Sequence, residues 1–238
     1  SVEALNEQSE TLAADVLEDA LVTVDIGKEI HLPETVMAVM NDGSRAEVPV
    51  TWMIPEGGLD SSREQTITVE GTGDGMPVSC QVKVTRMNYA KNPSFEEEDL
   101  SMWRCEDRNG ADQLYCEEKT NDSLTGNRHW HFYSSGAGTI CFTLEQDLTL
   151  GAGDYEYMIS IMGGDAGHQE IYSYVKADGE ILCQTPAAIT SWNNWDTPRT
   201  AFSLDREAQV TCGIFVRCDG PGAWGKIDDM IVVSAEGM

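Results

Sequence analysis

The residues best suited to chemistry are tryptophans in polar surroundings. Trp192 and Trp195 lie in the run Thr190 to Pro198, TSWNNWDTP, and Trp224 lies between glycines in DGPGAWGK. Gly, Pro, Asn and Asp at this density mark loops, which run over the surface and leave a large ring partly exposed. An exposed indole offers an apolar face to the C–H side of a pyranose, while neighbouring polar groups bond its hydroxyls. The other reading of each ring is a plug at the end of a β-sandwich. Trp103 and Trp130 alternate with apolar positions and are expected in a core. His129 and His131 flank Trp130 in a strand-like run, so both project to one face. Zinc would need further ligands that the sequence does not offer, and His131 is a candidate partner for a sugar hydroxyl instead.

Acids are abundant, so catalysis has to be weighed. Glycoside hydrolysis needs two carboxylates held on a rigid scaffold across the scissile bond. Glu96-Glu97-Glu98-Asp99 and Asp228-Asp229 read more simply as solvated runs, and no GxSxG, HExxH, P-loop or GxGxxG occurs. A non-catalytic chain is expected. The same acids have another use, because they open and close one stretch of strands whose ends a jelly roll would bring together. Carboxylates and carbonyls so placed suit calcium, which takes six to eight oxygens, although plain surface charge explains them equally.

Those side chains must be held by short strands. From Leu21 the runs LVTVDIG, EVPVTWMI, QTITVEGT and VSCQVKVT alternate or are β-branched, and Asn41-Asp42-Gly43 marks a turn. Trp52 is the sole aromatic residue before Tyr89 and is expected in the core of this first sandwich. From Asn88 the composition shifts, and strand-like runs continue to IDDMIVV, which reads as a second sandwich or jelly roll. The expected division is an acidic linker or domain remnant at 1–20, a small sandwich at 21–86 and a jelly roll at 88–236. The fold class is all-β.

The 238 residues carry 15 Lys and Arg against 41 Asp and Glu, a formal charge of −26. Such a surface repels phosphate backbones, anionic lipid and acidic polysaccharides, so no nucleic-acid or membrane partner is expected. No apolar run reaches the roughly 18 residues of a membrane helix. The seven cysteines are odd in number and lack CxxC spacing; in a secreted protein they allow disulfides with at least one thiol left over. The start at Ser1, without a leader-like segment, reads as an excised fragment.

Two resemblances sharpen these expectations. Leu32-Pro33-Glu34-Thr35-Val36, Asn41-Asp42-Gly43, Val50-Thr51-Trp52 and Val69-Glu70-Gly71-Thr72 follow one another as in the bacterial immunoglobulin-like repeat of secreted polysaccharide-degrading proteins, which implies a spacer. Residues 92–232, with HFYS, Gly163-Gly164-Asp165-Ala166-Gly167, Trp192, Trp195 and AWGKIDD at 223–229, resemble carbohydrate-binding modules of family 61. Those modules accompany endo-β-1,4-galactanases, and the resemblance implies a β-sandwich with structural calcium that binds β-1,4-galactan or galactooligosaccharides. It makes Glu96 and Asp228, or Asp229, the calcium ligands, completed by carbonyls near Ser94 and Asn127. Its sugar contacts do not carry over residue by residue, and the stacking candidates here are Trp192, Trp195 and Trp224, with His131, Asp165, Tyr172 and Arg217 as polar partners.

The expected protein is therefore a monomeric, secreted or cell-surface bacterial fragment that targets a galactanase to its substrate. The alternative is an adhesion or protein-interaction fragment that uses the same aromatic patch.

Overall fold

A computed structural model describes residues 11–136 and 138–235, and divides them into two compact units that meet in sequence at Met87 and Asn88. Among these residues no helix is long and apolar enough to cross a membrane.

The first unit is built from β1 (Ala14–Leu17), β2 (Ala20–Asp25), β3 (Thr35–Met40), β4 (Arg45–Trp52), β5 (Gln65–Gly73) and β6 (Met76–Thr85). Their order is β1-β3-β4-β5-β6-β2, antiparallel except for the parallel pair β2–β6. β4 pairs with β3 over 45–49 and with β5 over 50–52, so one strand passes from one half of the sheet to the other. The alternation seen in sequence buries Val69, Val82 and Val84 with Cys80 on one side, and Ala38, Met40 and Val48 on the other. Asp74 and Gly75, with φ of 47° and 75°, form the two-residue turn that right-twisted strands favour between β5 and β6.

Two expectations change here. Residues 14–17 and 20 are strand rather than acidic linker, because Ala14, Val16 and Leu17 add to the edge of β3. The remainder of that linker, 1–10, lies outside the described residues. Trp52 is half-buried rather than fully enclosed. Its ring lies across Gly71, where a Cβ would stand 2.5 Å from the indole, and its Nε1–H donates to the Pro33 carbonyl at 2.7 Å.

The second unit holds β7 (Arg104–Asp107), β8 (Gln113–Glu118), β9 (Arg128–Tyr133), β10 (Thr139–Leu150), β11 (Gly153–Gly164), β12 (Gln169–Ala177), β13 (Glu180–Ala187), β14 (Arg199–Leu204), β15 (Ala208–Asp219) and β16 (Trp224–Ser234). A single 3-10 turn, Thr120–Asp122, follows β8. The strands form two five-stranded antiparallel sheets, β13-β12-β15-β10-β7 and β14-β11-β16-β9-β8. Alternate residues of both sheets face one core, with Phe142, Leu144, Ile214 and Val216 from the first and Tyr157, Ile161, Ile227 and Phe132 from the second. Trp103 and Trp130 pack at this core as expected, around Phe95, which stacks on Trp103 at 4.5 Å. The entry segment runs beside β16: Met230 N–H donates to the Pro93 carbonyl, and Asn88 bonds the backbone of Met230 and Val232. All seven cysteines are free thiols.

Candidate functional site

The outward face of the sheet β14-β11-β16-β9-β8 gathers the polar and aromatic side chains that its core face cannot use. Strand alternation sends Gly225 and Ile227 inward and Trp224 and Lys226 outward. Antiparallel register then sets rows across the strands. Gly164, Trp224, Tyr133 and Gln113 form one row, and Met162, Lys226, His131 and Tyr115 form the next. His129 and Glu117 begin a third.

Trp224 lies flat because residue 164 is glycine; a Cβ there would stand 3.3 Å from its Nε1. That Nε1–H donates to Asp165 Oδ2 at 2.9 Å, and Asp165 sits at the strand end with φ of 57°. Trp192 is 58% exposed, and its Nε1–H donates to Asp122 Oδ1 at 3.0 Å. Its loop is tied to β11 by reciprocal 2.8 Å backbone bonds between Ile161 and Asp196, and the Asn193 N–H points at the Met162 sulfur. Both indoles are thus clamped through their polar edges, which leaves ring faces for contact.

Between them lies a line of buried charge. Lys226 is 4% exposed; its ammonium bonds Glu117 and donates to His131 Nδ1 at 2.6 Å, and Asp122 lies 3.8 Å away. His131 Nδ1 is therefore an acceptor, so Nε2 carries the proton and donates to Gln113 Oε1 at 2.7 Å. His129 Nε2–H donates to Glu117 at 2.9 Å, and its Nδ1 accepts from Ser123. Burial, then the Lys226 charge, pushes the His131 pKa down to about 4, and burial lowers that of His129. Burial alone would raise the Glu117 carboxyl, but the bonds from Lys226 and His129 outweigh it and hold the group below its usual value.

His131 should make stability depend on pH. Its folded pKa lies below that of the unfolded chain, so acidification below about 6.5 loads protons on the unfolded state first. The stability due to its neutral form is lost as pH falls from about 6.5 toward 4. Imidazole nitrogen shifts should report the Nε2–H tautomer, with protonation only near pH 4. A midpoint near 6.5 would contradict the buried placement.

The expected sugar residues do not all meet. Trp192, Trp224, His131 and Asp165 share this face, with Asp165 serving the Trp224 indole. Trp195 lines a separate hollow of about 240 Å³ with Ala188, Thr190, Asn194 and Asp196. Tyr172 on β12 and Arg217 on β15 belong to the other sheet and point away from its core, so they lie on the opposite side of the sandwich. Sequence reasoning missed Lys226, Glu117, Asp122, Gln113, Tyr115 and Tyr133. Period-two alternation in RHWHFY and QLYCEE was the signal that could have found the partners of His131.

The four residues expected at calcium sit near one loop. Glu96 Oε1 accepts the N–H groups of Asn127 and Arg128, each at 2.7 Å. Asp228 Oδ2 accepts from Leu124 and Thr125 N–H, its Oδ1 accepts from Asp229 N–H, and Asp229 accepts from the Thr125 hydroxyl. The Asn127 carbonyl accepts from Lys119 N–H, and Ser94 lies half-buried in the entry segment. Asp228 is buried, and burial followed by the Asp229 charge pushes its carboxyl up to about 7. The donors are hard carboxylate and carbonyl oxygens, which fits calcium in chemistry. Among the described residues, however, no three His, Cys, Asp or Glu side chains converge in metal-binding geometry.

Comparison with known proteins bears on both units. The model of the bacterial Ig-like domain (group 4) matches residues 17–76. No curated protein sequence matches the chain. Among solved structures, TmCBM61 in complex with β-1,4-galactotriose is 23% identical at a TM-score of 0.53, over 62% of this chain and 99% of that one. A study of promiscuous carbohydrate-binding modules of the β-sandwich superfamily supplies a match at 14% identity and a TM-score of 0.46, over 94% of this chain and 98% of the other. The CBM22-1 xylan-binding domain from Paenibacillus barcinonensis aligns at 11% identity and 0.39, over 61% and 93%. Residues 17–76 are a bacterial Ig-like domain of group 4, and the second unit has the β-sandwich fold that TmCBM61 displays.

Proposed function

We propose that the second unit is a non-catalytic carbohydrate-binding module for β-1,4-galactan, and that the Ig-like unit is a spacer. In this reading the chain is part of a secreted endo-β-1,4-galactanase and holds that enzyme at its substrate. The observation that carries it is the pair of carboxylate-clamped indoles, Trp192 and Trp224, beside the fixed line of Gln113, His131 and Lys226. Flat apolar faces next to immobile donors and acceptors suit a ligand whose rings have one C–H face and an edge of hydroxyls. The fold likeness to TmCBM61, solved with galactotriose, supports the choice of sugar. Calorimetry against β-1,4-galactan, xylan and β-glucan tests it: heat with galactan alone is expected, and no heat with any of them overturns it.

Calcium belongs to the same reading. Glu96 and Asp228 would hold it, where it would offset the buried charge of Asp228 and the half-buried charge of Asp229 and tie the entry segment to β16. A ligand bound only by the folded state stabilises it by mass action, so excess chelator should lower the melting temperature without touching a sugar contact. An unchanged melting curve, with no metal by elemental analysis, contradicts it.

A further inference from the structure

We propose that the first unit is more than a spacer: the groove between residues 29–34 and the end of β4 docks an extended peptide segment of a partner protein, one in which lysine or arginine alternates with apolar residues. Sugar binding by the second unit has no part in it.

The groove opens where β4 changes partner. β4 pairs with β3 as far as Thr35 and Pro49, and Val50 N–H donates one last bond to the Glu34 carbonyl at 3.0 Å. From Val50 to Trp52 the strand pairs with β5 instead, so it parts from the chain that precedes Glu34. The Trp52 Nε1–H spans the gap to the Pro33 carbonyl at 2.7 Å. Beside it lies a hollow of about 590 Å³, whose apolar lining includes Ile30, Leu32, Val50, Trp52, Ile54 and Leu59. Ile30, Leu32, Trp52 and Leu59 pack against the buried cluster of Val69 and Val82, yet each keeps part of its surface exposed.

One wall of this hollow is an unused strand edge. Exposure alternates along Glu29, Ile30, His31 and Leu32, and the two apolar residues are the ones packed on the core. Among the described residues, none of these four forms a backbone hydrogen bond to another part of the chain. A stretch with strand-like alternation and free donors and acceptors is what an incoming extended chain can pair with, while its alternate side chains enter the hollow.

Charge selects the occupant. Glu29, His31 and Glu34 line the hollow, and no lysine or arginine does. Glu29 and Glu34 are exposed, and the base nearest to Glu29 is His31 at 3.8 Å. Glu56 and Asp60 lie on the neighbouring stretch from Ile54 to Ser61, and the closest bases in sequence are Lys28 and Arg63. Arg63 stands 3.9 Å from Asp60, and Lys28 is half-buried with contacts of its own. Four acids against two bases leave the rim negative, and the formal charge of −26 on the whole chain attracts the same kind of partner. An acidic segment would be repelled, and an uncharged one would gain nothing from the rim.

The test is a titration of the isotope-labelled full chain, read by backbone and indole NMR shifts, with two capped pentapeptides: Lys-Val-Lys-Val-Lys and Glu-Val-Glu-Val-Glu. Five extended residues cover about 17 Å, enough to run beside the stretch from Glu29 to Pro33. Saturable shifts at residues 29–32 and at the Trp52 indole are expected with the lysine peptide, and none with the glutamate peptide. Ile54→Asn should weaken the lysine peptide about tenfold; Ile54 is 57% exposed, so the variant should stay folded, which a thermal melt checks. Glu29→Gln together with Glu34→Gln should weaken it about threefold or more and flatten its salt dependence. Absence of saturable shifts with the lysine peptide overturns the site. So do equal affinities for the two peptides, shifts confined to residues outside 29–34 and 50–61, or an affinity that Ile54→Asn leaves unchanged. None of these outcomes bears on galactan, which is assigned to the second unit.

Discussion

Trp192→Ala and Trp224→Ala are each expected to weaken galactan binding about five- to 150-fold. Truncating a large aromatic contact commonly costs about 1–3 kcal/mol, and each 1.4 kcal/mol is a decade in affinity. An indole excludes water from one sugar face, and alanine leaves that face wet. Trp195→Ala should cost much less, because Trp195 lines a different hollow. The carboxylates sharpen the test. Asp165→Ala frees the Trp224 indole without removing it, so its effect should fall between wild type and Trp224→Ala. Asp122→Asn keeps an acceptor for the Trp192 N–H and should bind better than Asp122→Ala. Affinity should hardly change with salt, since a neutral glycan releases no counterions. Calorimetry on these variants, with melts to confirm folding, decides it. If Trp192→Ala and Trp224→Ala both bind galactan as wild type does, the site lies elsewhere on the unit.

What could be read beforehand depended on range. Alternation is local, so the strands of both units and the core roles of Trp103 and Trp130 were legible in short windows of sequence. So was the nearness of the entry segment to β16, because first and last strands of a jelly roll meet. Which sheet a strand joins is a long-range matter. β12 pairs with β15, and β11 with β16, so Tyr172 and Trp224 face opposite sides of the sandwich although each is a plausible sugar contact in sequence. Lys226 escaped notice for a similar reason. In AWGKIDD it looks like an ordinary surface lysine, and only the cross-strand register with His131 and the reach of Glu117 bury it. Asp165 looked like a hydroxyl partner, but its geometry makes it the anchor of an indole. Residues 14–17 were misread because four residues beside a run of acids carry too little alternation to announce an edge strand.

Lys226→Met should destabilise the second unit by about 3 kcal/mol or more, among the larger effects a single substitution on this face can have. The ammonium is almost wholly enclosed and is the main cation for Glu117, whose carboxylate keeps about a quarter of its surface exposed. Deleting one partner of a buried pair leaves the other charge without compensation, which typically costs about 3–5 kcal/mol; the residual exposure of Glu117 places the expectation at the lower end. For a unit of this size, about 1 kcal/mol moves the melting temperature by roughly 2–4 °C, so a fall of roughly 6–12 °C is expected. The double variant Lys226→Met with Glu117→Gln should recover part of the loss, since the stranded charge is gone and the amide still accepts from His129. His131 gives an independent readout. Without the neighbouring ammonium its pKa should rise from about 4, because the Lys226 charge is the second cause of its depression after burial. A Lys226→Met protein that melts as wild type does, with an unmoved His131 titration, would mean that the lysine lies in solvent and that this face is not a built site.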